Sequence, residues 1–361
     1  MNDSGRMVAQ TPRGRVVPAL AVAYVLLVTA TLGYFILRIP IQVGDGFGNM
    51  VDVLDGSLLD IFIRKSTNES YFRPLMWPPY RVVMDLSGGA YMAWFKGLQV
   101  LQVGALLLLL VRWLRVRSVT ELAALPLGVA MLVGGHTFAG AVLEAHPINH
   151  FLSIALCCVA GVTLAAEPWR RLNDAVAVLI LVYAALTLES GLLVWVILCW
   201  AWVLGWRGVS RPALAVMTLG VLAYGVARVF WLQTGTPGLM ERSSGFGFAV
   251  LEPEALVARF GANPLVFYAY NVASALAMTL FAEPRGGLWR FVRSLVEGSG
   301  ELWTRLNVFC ACGATALVAA DAWRHRTMWR LRTLTHDDRI VLMLPVVLLA
   351  NAVFSFAYLK D

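Results

Sequence analysis

Charge is what this sequence has least of. Of 361 residues, 14% are Asp, Glu, Lys or Arg, against about a quarter in an average soluble chain. Apolar residues make up 59%, and the mean hydropathy is +0.71. So little charge excludes a disordered or collagen-like chain, and it is scant cover for a soluble enzyme of 39.5 kDa. Cysteine is scarce as well. Cys157, Cys158, Cys199, Cys310 and Cys312 all lie in apolar runs and are odd in number, so they imply no disulfide framework. The sequence has no internal repeat, no low-complexity tract, no Rossmann pattern and no phosphate loop ending in Gly-Lys-Ser/Thr. What it does have is long apolar runs, which read as a polytopic membrane protein of the all-α class. Lys+Arg 29 against Asp+Glu 22 leaves +7, an excess that sets orientation in a membrane and does not point to nucleic acid.

The uncharged or nearly uncharged runs are 16–37, about 97–114, 122–143, 151–166, 175–206 (interrupted by Glu189), 213–232, 264–282, 306–320 and 340–359. The first follows Arg6, Arg13 and Arg15 and is longer than the roughly 7–15 residues of a secretory apolar core, so it reads as a spanning helix and not a cleaved signal. Basic clusters at Arg112/Arg115/Arg117, Arg170/Arg171, Arg207/Arg211 and Arg324/Arg326/Arg330/Arg332 mark the cytoplasmic side. Two clusters on one side must be joined by an even number of crossings. The run 175–206 would be roughly 48 Å long as one helix, too long for one crossing, and basic clusters stand at both its ends. The chain must therefore go out and return, with an outer turn at Glu189-Ser190-Gly191. Between Arg211 and Arg324 lie 213–232, 264–282 and 306–320, of which two cross and one does not. Either solution leaves 233–263 outside, and one extends that loop to 305. The whole chain, 1–361, reads as one transmembrane domain of about nine helices with two long outer loops, 40–89 and 233–263.

The outer loops hold the residues that suit chemistry. Asp45 stands between Gly44 and Gly46, where the backbone allows close approach of a ligand, and a carboxylate there can act as a base or orient a metal ion. The other reading is a turn Asp in a glycine-rich loop. Residues 50–61 repeat apolar Met50, Val53, Leu54, Leu58 and Ile61 at helical spacing, with Asp52, Asp55 and Asp60 between, which predicts an amphipathic surface helix with those acids on its solvated face. Arg73 and Arg81 lie in a Pro/aromatic segment, and an outer arginine is a fork for phosphate or a rim partner for Asp52 or Asp60. Glu144, His146 and His150, with His136 nearby, are either metal ligands or hydrogen-bonding histidines at an interface, and Pro147 breaks regular helix among them. Glu189 is an acid at a membrane-level turn, which calls for a partner. Arg228 lies roughly 25 Å along a helix from Arg211, near the outer surface, and binds an anion or snorkels to lipid phosphate. Arg242 sits with Glu241 in the second outer loop.

At these residues the chain resembles the GT-C class of integral-membrane glycosyltransferases, which use polyprenyl-phosphate sugars. An acid soon after span 1, a long first outer loop with a surface helix, and a further outer loop after span 7 are the shared arrangement. Tyr71-Phe72-Arg73-Pro74-Leu75 is similar to the (Tyr/Phe)-Arg-Pro-Leu segment of that loop. Ala145-His146-Pro147 is similar to the His-Pro turn before span 4 in the O-mannosyltransferase-like branch. Leu188-Glu189-Ser190-Gly191-Leu192 resembles the Lys-Glu-x-Gly turn between spans 5 and 6, with Leu188 where Lys is common. Asn351 to Asp361 is similar to a Tyr-x-Lys-Asp segment after which bacterial members continue, so the sequence reads as truncated at Asp361. Asp45 stands single where many relatives have two acids.

The resemblance implies an enzyme of the cell inner membrane with a cytoplasmic N-terminus and an extracytoplasmic catalytic face. It implies inverting transfer of a sugar from a polyprenyl-phosphate donor to an outer glycan, lipid or protein acceptor. Asp45 would be the general base or would orient a divalent cation (Mg or Mn). Arg73, Arg81, His146, Glu189, Arg228 and Arg242 would line the substrate site. Two other readings remain. A transporter or flippase of a lipid-linked intermediate would put its charges at mid-membrane depth and show repeats, and a non-catalytic assembly subunit would leave Asp45 dispensable.

Overall fold

The computed structural model describes residues 12–40, 45–67, 72–134, 147–231, 243–244, 250–251, 253–261, 263–281 and 334–354, with short helical pieces at 312–313, 316–317, 319–320 and 323–324. The chain is all-α. The one exception among the described residues is a two-residue antiparallel ladder, β1 (Ser243–Ser244) against β2 (Val250–Leu251). The helices are α1 (Pro12–Ile36), α2 (Asp45–Asp52), α3 (Leu58–Thr67), α4 (Pro78–Leu86), α5 (Tyr91–Leu114), α6 (Val119–Gly134), α7 (His150–Ala166), α8 (Arg171–Thr187), α9 (Leu193–Val203), α10 (Arg211–Val226), α11 (Pro253–Phe260), α12 (Pro264–Phe281) and α13 (His336–Phe354). They fall into two compact units, 1–55 with 79–163, and 56–78 with 164–361.

Helix starts follow local chemistry. Ser118 Oγ accepts the Glu121 N–H, and Glu121 accepts the Arg117 and Ser118 N–H groups, a reciprocal box that opens α6. Ser57 with Asp60 does the same for α3, and Thr335 with Asp338 for α13. Asn149 caps α7 through the Leu152 N–H, and Ser210 caps α10 through the Ala213 N–H.

In the first unit, α1 and α5 pack along Ala21, Val25, Leu32, Ile36, Val103, Leu107 and Val111, joined by Leu125 and Val129 of α6 and Leu152 of α7. Val16–Ile36 and Tyr91–Leu114 are each long and apolar enough to cross a bilayer, and most of each is not buried inside the protein. Leu20, Leu26 and Leu27 of α1 and Leu101 of α5 face outward. A core helix of a soluble protein buries such residues, whereas a lipid-facing helix shows them. Shorter apolar helices lie at 150–166, 189–203, 211–226 and 265–276.

In the second unit the run 175–206 is two helices. α8 ends at Thr187, Leu188 is extended (φ −147°, ψ 150°), and a 3-10 turn over Glu189–Leu192 leads into α9. The break stands where the span arithmetic put it. α13 packs on α9, tied by the Trp200 Nε1–H donated to the Leu342 carbonyl at 3.0 Å. α12 is one continuous apolar helix. Of the run 306–320, residues 306–311, 314–315 and 318 lie outside the described residues.

The expected single surface helix over 50–61 is not formed. Two helices stand there, α2 and α3, and α2 begins at Asp45, well before the apolar periodicity starts. Gly56 breaks the run with φ +99°, a left-handed conformation that side chains disfavour, and Ser57 with Asp60 then nucleates a new helix. Asp60 is thus a capping acid, and the two Ser57 hydrogen bonds hold its carboxyl below the usual range. Periodicity alone could not show this, because the apolar spacing stays in phase through the break.

Candidate functional site

Among the described residues of the second unit, a charge cluster is centred on Glu189, in the turn between α8 and α9. Arg73 donates from both Nε (2.9 Å) and Nη2 (2.7 Å) to Glu189 Oε2. Arg228 Nη2 lies 3.0 Å from Oε1, an ion contact and not an aligned hydrogen bond. The side chains of Arg73, Glu189 and Arg228 are 18, 16 and 17% exposed. Burial alone would raise the carboxyl pKa, but the charges of Arg73 and Arg228 and the Arg73 hydrogen bonds outweigh it and hold Glu189 below its ordinary value.

Each member is placed by backbone structure. Arg73 precedes a turn over Pro74–Met76, and the Leu75 N–H donates to the Leu186 carbonyl at 3.0 Å, which pins this segment to the end of α8. Arg228 stands in a π-helical turn, Ala227–Trp231, that continues α10. Its Nη1 donates to the Tyr224 hydroxyl at 3.0 Å, and the Tyr224 ring lies 5.9 Å from that of Phe72. Two guanidiniums thus stand at one part-buried carboxylate, and the fork of a guanidinium matches the geometry of phosphate as well as of carboxylate.

Gly191 keeps Glu189 at this spot. A Cβ there would lie 2.1 Å from both the carbonyl carbon and oxygen of Ala184, and backbone atoms of a packed helix cannot yield. Gly191→Ala is expected to push the turn off α8 and to cost roughly 1–3 kcal/mol, read as a lowered thermal midpoint of the purified protein. An unchanged midpoint would show that the turn is not seated this closely.

The other residues singled out in the sequence fall elsewhere. Asp45 is the first residue of α2, in the first unit. Arg81 is engaged locally, through Nε to Asp85 (2.9 Å) and through Nη1 to the carbonyls of Val53 (3.2 Å) and Leu54 (2.6 Å), so it fastens the end of α2. His150 opens α7 and is buried, its ring 5.8 Å from Tyr80. His136, Glu144, His146, Glu241 and Arg242 lie outside the described residues. Arg73 pairs with Glu189, and Asp60 is engaged by Ser57. Tyr224 and Phe72 were missed because nothing marks an apolar-run tyrosine as a second-rank partner until Arg228 is seen one helical turn away. Among the described residues no three His, Cys, Asp or Glu side chains gather to hold a cation.

Comparison with protein-family models, with curated proteins and with solved structures found no match.

Proposed function

We propose that the chain is an integral-membrane glycosyltransferase of the GT-C kind, with about nine crossings in the cell inner membrane and a cytoplasmic N-terminus. It transfers a sugar from a polyprenyl-phosphate donor to an extracytoplasmic acceptor. One observation supports this above others. The Arg73-Pro74-Leu75 segment and the Glu189-Ser190-Gly191 turn are 116 residues apart at Arg73 and Glu189, and each was singled out independently by resemblance to that class. They meet through the Arg73–Glu189 ion pair and the Leu75–Leu186 hydrogen bond.

In this reading the acceptor oxygen attacks the anomeric carbon and loses its proton to a carboxylate, the role that the resemblance gives to Asp45. The anomeric C–O bond to phosphate breaks with inversion, and polyprenyl phosphate leaves with the electron pair. Arg73 and Arg228 stabilise the charge that grows on that phosphate. Glu189 holds the two arginines at a fixed spacing. A divalent cation belongs to the class as an alternative role for Asp45, and the steps above use only the chain's own groups.

The test is transfer by purified protein in nanodiscs given polyprenyl-phosphate sugars. Activity that needs Arg73 and Arg228 supports the reading, and absence of transfer with every such donor removes it. Orientation is tested separately. In a background with its cysteines replaced by alanine, Ser66→Cys is expected to react with an impermeant thiol reagent in intact cells. Labelling only after lysis would place the 40–89 loop on the cytoplasmic side.

A further inference from the structure

A second polar cluster, in the first unit, takes no part in the proposed reaction. Lys96 lies on α5 and is 3% exposed, and its Nζ has no hydrogen-bond partner. Asn149 caps α7, is also 3% exposed, and accepts the Leu152 N–H on Oδ1 at 2.9 Å. That bond identifies the other amide atom as Nδ2, which has no partner either. Two buried donors therefore lack acceptors, and a buried ammonium without one is among the costliest groups a fold can hold.

The two donors belong to the same neighbourhood. The Tyr80 ring lies 5.9 Å from Phe95, the residue before Lys96, and 5.8 Å from His150, the residue after Asn149. Further along both helices, Gln102 Nε2 donates to Ser153 Oγ at 2.8 Å. Tyr80 thus touches the second turn of α5 and the start of α7, and the two helices meet again at Gln102 and Ser153. The Tyr80 hydroxyl is itself bonded to the Asn49 side chain and the Ile148 backbone, so it is not the missing acceptor. An Asp at 149 would cap α7 as well as Asn does and would neutralise Lys96. The sequence instead places a second donor there.

We infer that Lys96 and Asn149 form a binding site for a phosphate oxyanion between the second turn of α5 and the cap of α7, supplied either by a lipid headgroup or by free phosphate. The ammonium supplies the charge and the amide the direction, and the surrounding Tyr80, Phe95 and Ile148 exclude water, which strengthens both bonds. The site rests on the two unpartnered donors and stands whether or not the chain transfers sugars.

The experiment measures thermal midpoints of the full chain in nanodiscs of phosphatidylcholine, with and without phosphatidylglycerol, and with sodium phosphate against sodium chloride at equal ionic strength. The wild type is expected to be stabilised by phosphate or by phosphatidylglycerol. A response to phosphate in phosphatidylcholine alone identifies a free anion, and a response only to phosphatidylglycerol identifies a headgroup. Lys96→Met, similar in volume and able to fold in an apolar setting, is expected to weaken the response at least about tenfold in concentration, the loss of a charge-assisted hydrogen bond. Arg171→Gln, at the exposed start of α8, keeps it. Asn149→Asp preserves the cap and supplies Lys96 with a counter-charge. It is expected to raise the midpoint without phosphate and to abolish the response. No response in the wild type, an equal response in Lys96→Met, or no gain in midpoint for Asn149→Asp would each overturn the site.

Discussion

Asp45→Asn is expected to lower turnover by about 10² to 10⁴, the range for loss of a positioned general base. Expression and membrane insertion should be unchanged. Asp45 is the first residue of α2, and Asn is close to Asp in size and shape. A carboxylate adds only about 0.3–1 kcal/mol there through the helix dipole. The substitution therefore removes basicity and charge while leaving the helix start in place. Asp52→Asn and Asp55→Asn, both at exposed positions, serve as controls and should stay within about twofold, since a surface charge far from the reacting atoms contributes little. Transfer is measured with purified protein and a polyprenyl-phosphate sugar, with the thermal midpoint recorded alongside. Equal turnover in wild type and Asp45→Asn, at equal midpoint, would exclude Asp45 as the base.

Glu189→Gln is expected to be the most destabilising single change at the charge cluster, by about 3 kcal/mol. Breaking a buried ionic group by removing one member is strongly destabilising, and here a neutral amide would replace the carboxylate that both part-buried guanidiniums contact. Gln retains the shape, so the loss reports the charge and not a cavity. The effect should couple to Arg73. Adding Arg73→Met to Glu189→Gln should cost less than the sum of the single changes by about 1–3 kcal/mol, because the first change has already broken the pair. The pH dependence follows from the depressed carboxyl. A group whose folded pKa lies below its unfolded value contributes stability that is fully present above the unfolded value and is lost as pH falls through the folded one. The gap in midpoint between wild type and Glu189→Gln should therefore be constant from about pH 7 to 5 and should close only below about pH 4. A gap that closes between pH 7 and 5 would mean that the carboxyl is not held low by its arginines.

Much of this protein was legible along the chain because it depends on neighbours in sequence. The helical class follows from apolar runs with too little charge between them. The break in 175–206 follows from length and from arginines at both ends, and it falls at the one polar interruption, Glu189-Ser190-Gly191. The caps at Ser118, Ser57 and Thr335 each have an acid three residues on, a local signal that the reading by apolar spacing passed over when it put Asp60 on a solvated face. Gly56 was visible as a residue but not as a break, since the apolar spacing continues in phase across it.

What only the tertiary structure decided was which groups answer which. Arg73 had three carboxylates within reach of argument, two of them in its own loop, and it took the one 116 residues away. The reason is that the Leu75–Leu186 hydrogen bond ties its segment to the end of α8, while Asp60 is already spent on Ser57. Arg81 looked like Arg73 in sequence and became a local tie, because α4 sets it against the open carbonyls at the end of α2. Lys96 sat at the edge of the run 97–114, where a lysine ordinarily reaches water. Its burial without a partner depends on how α4, α5 and α7 pack around Tyr80, and no periodicity along the chain carries that information.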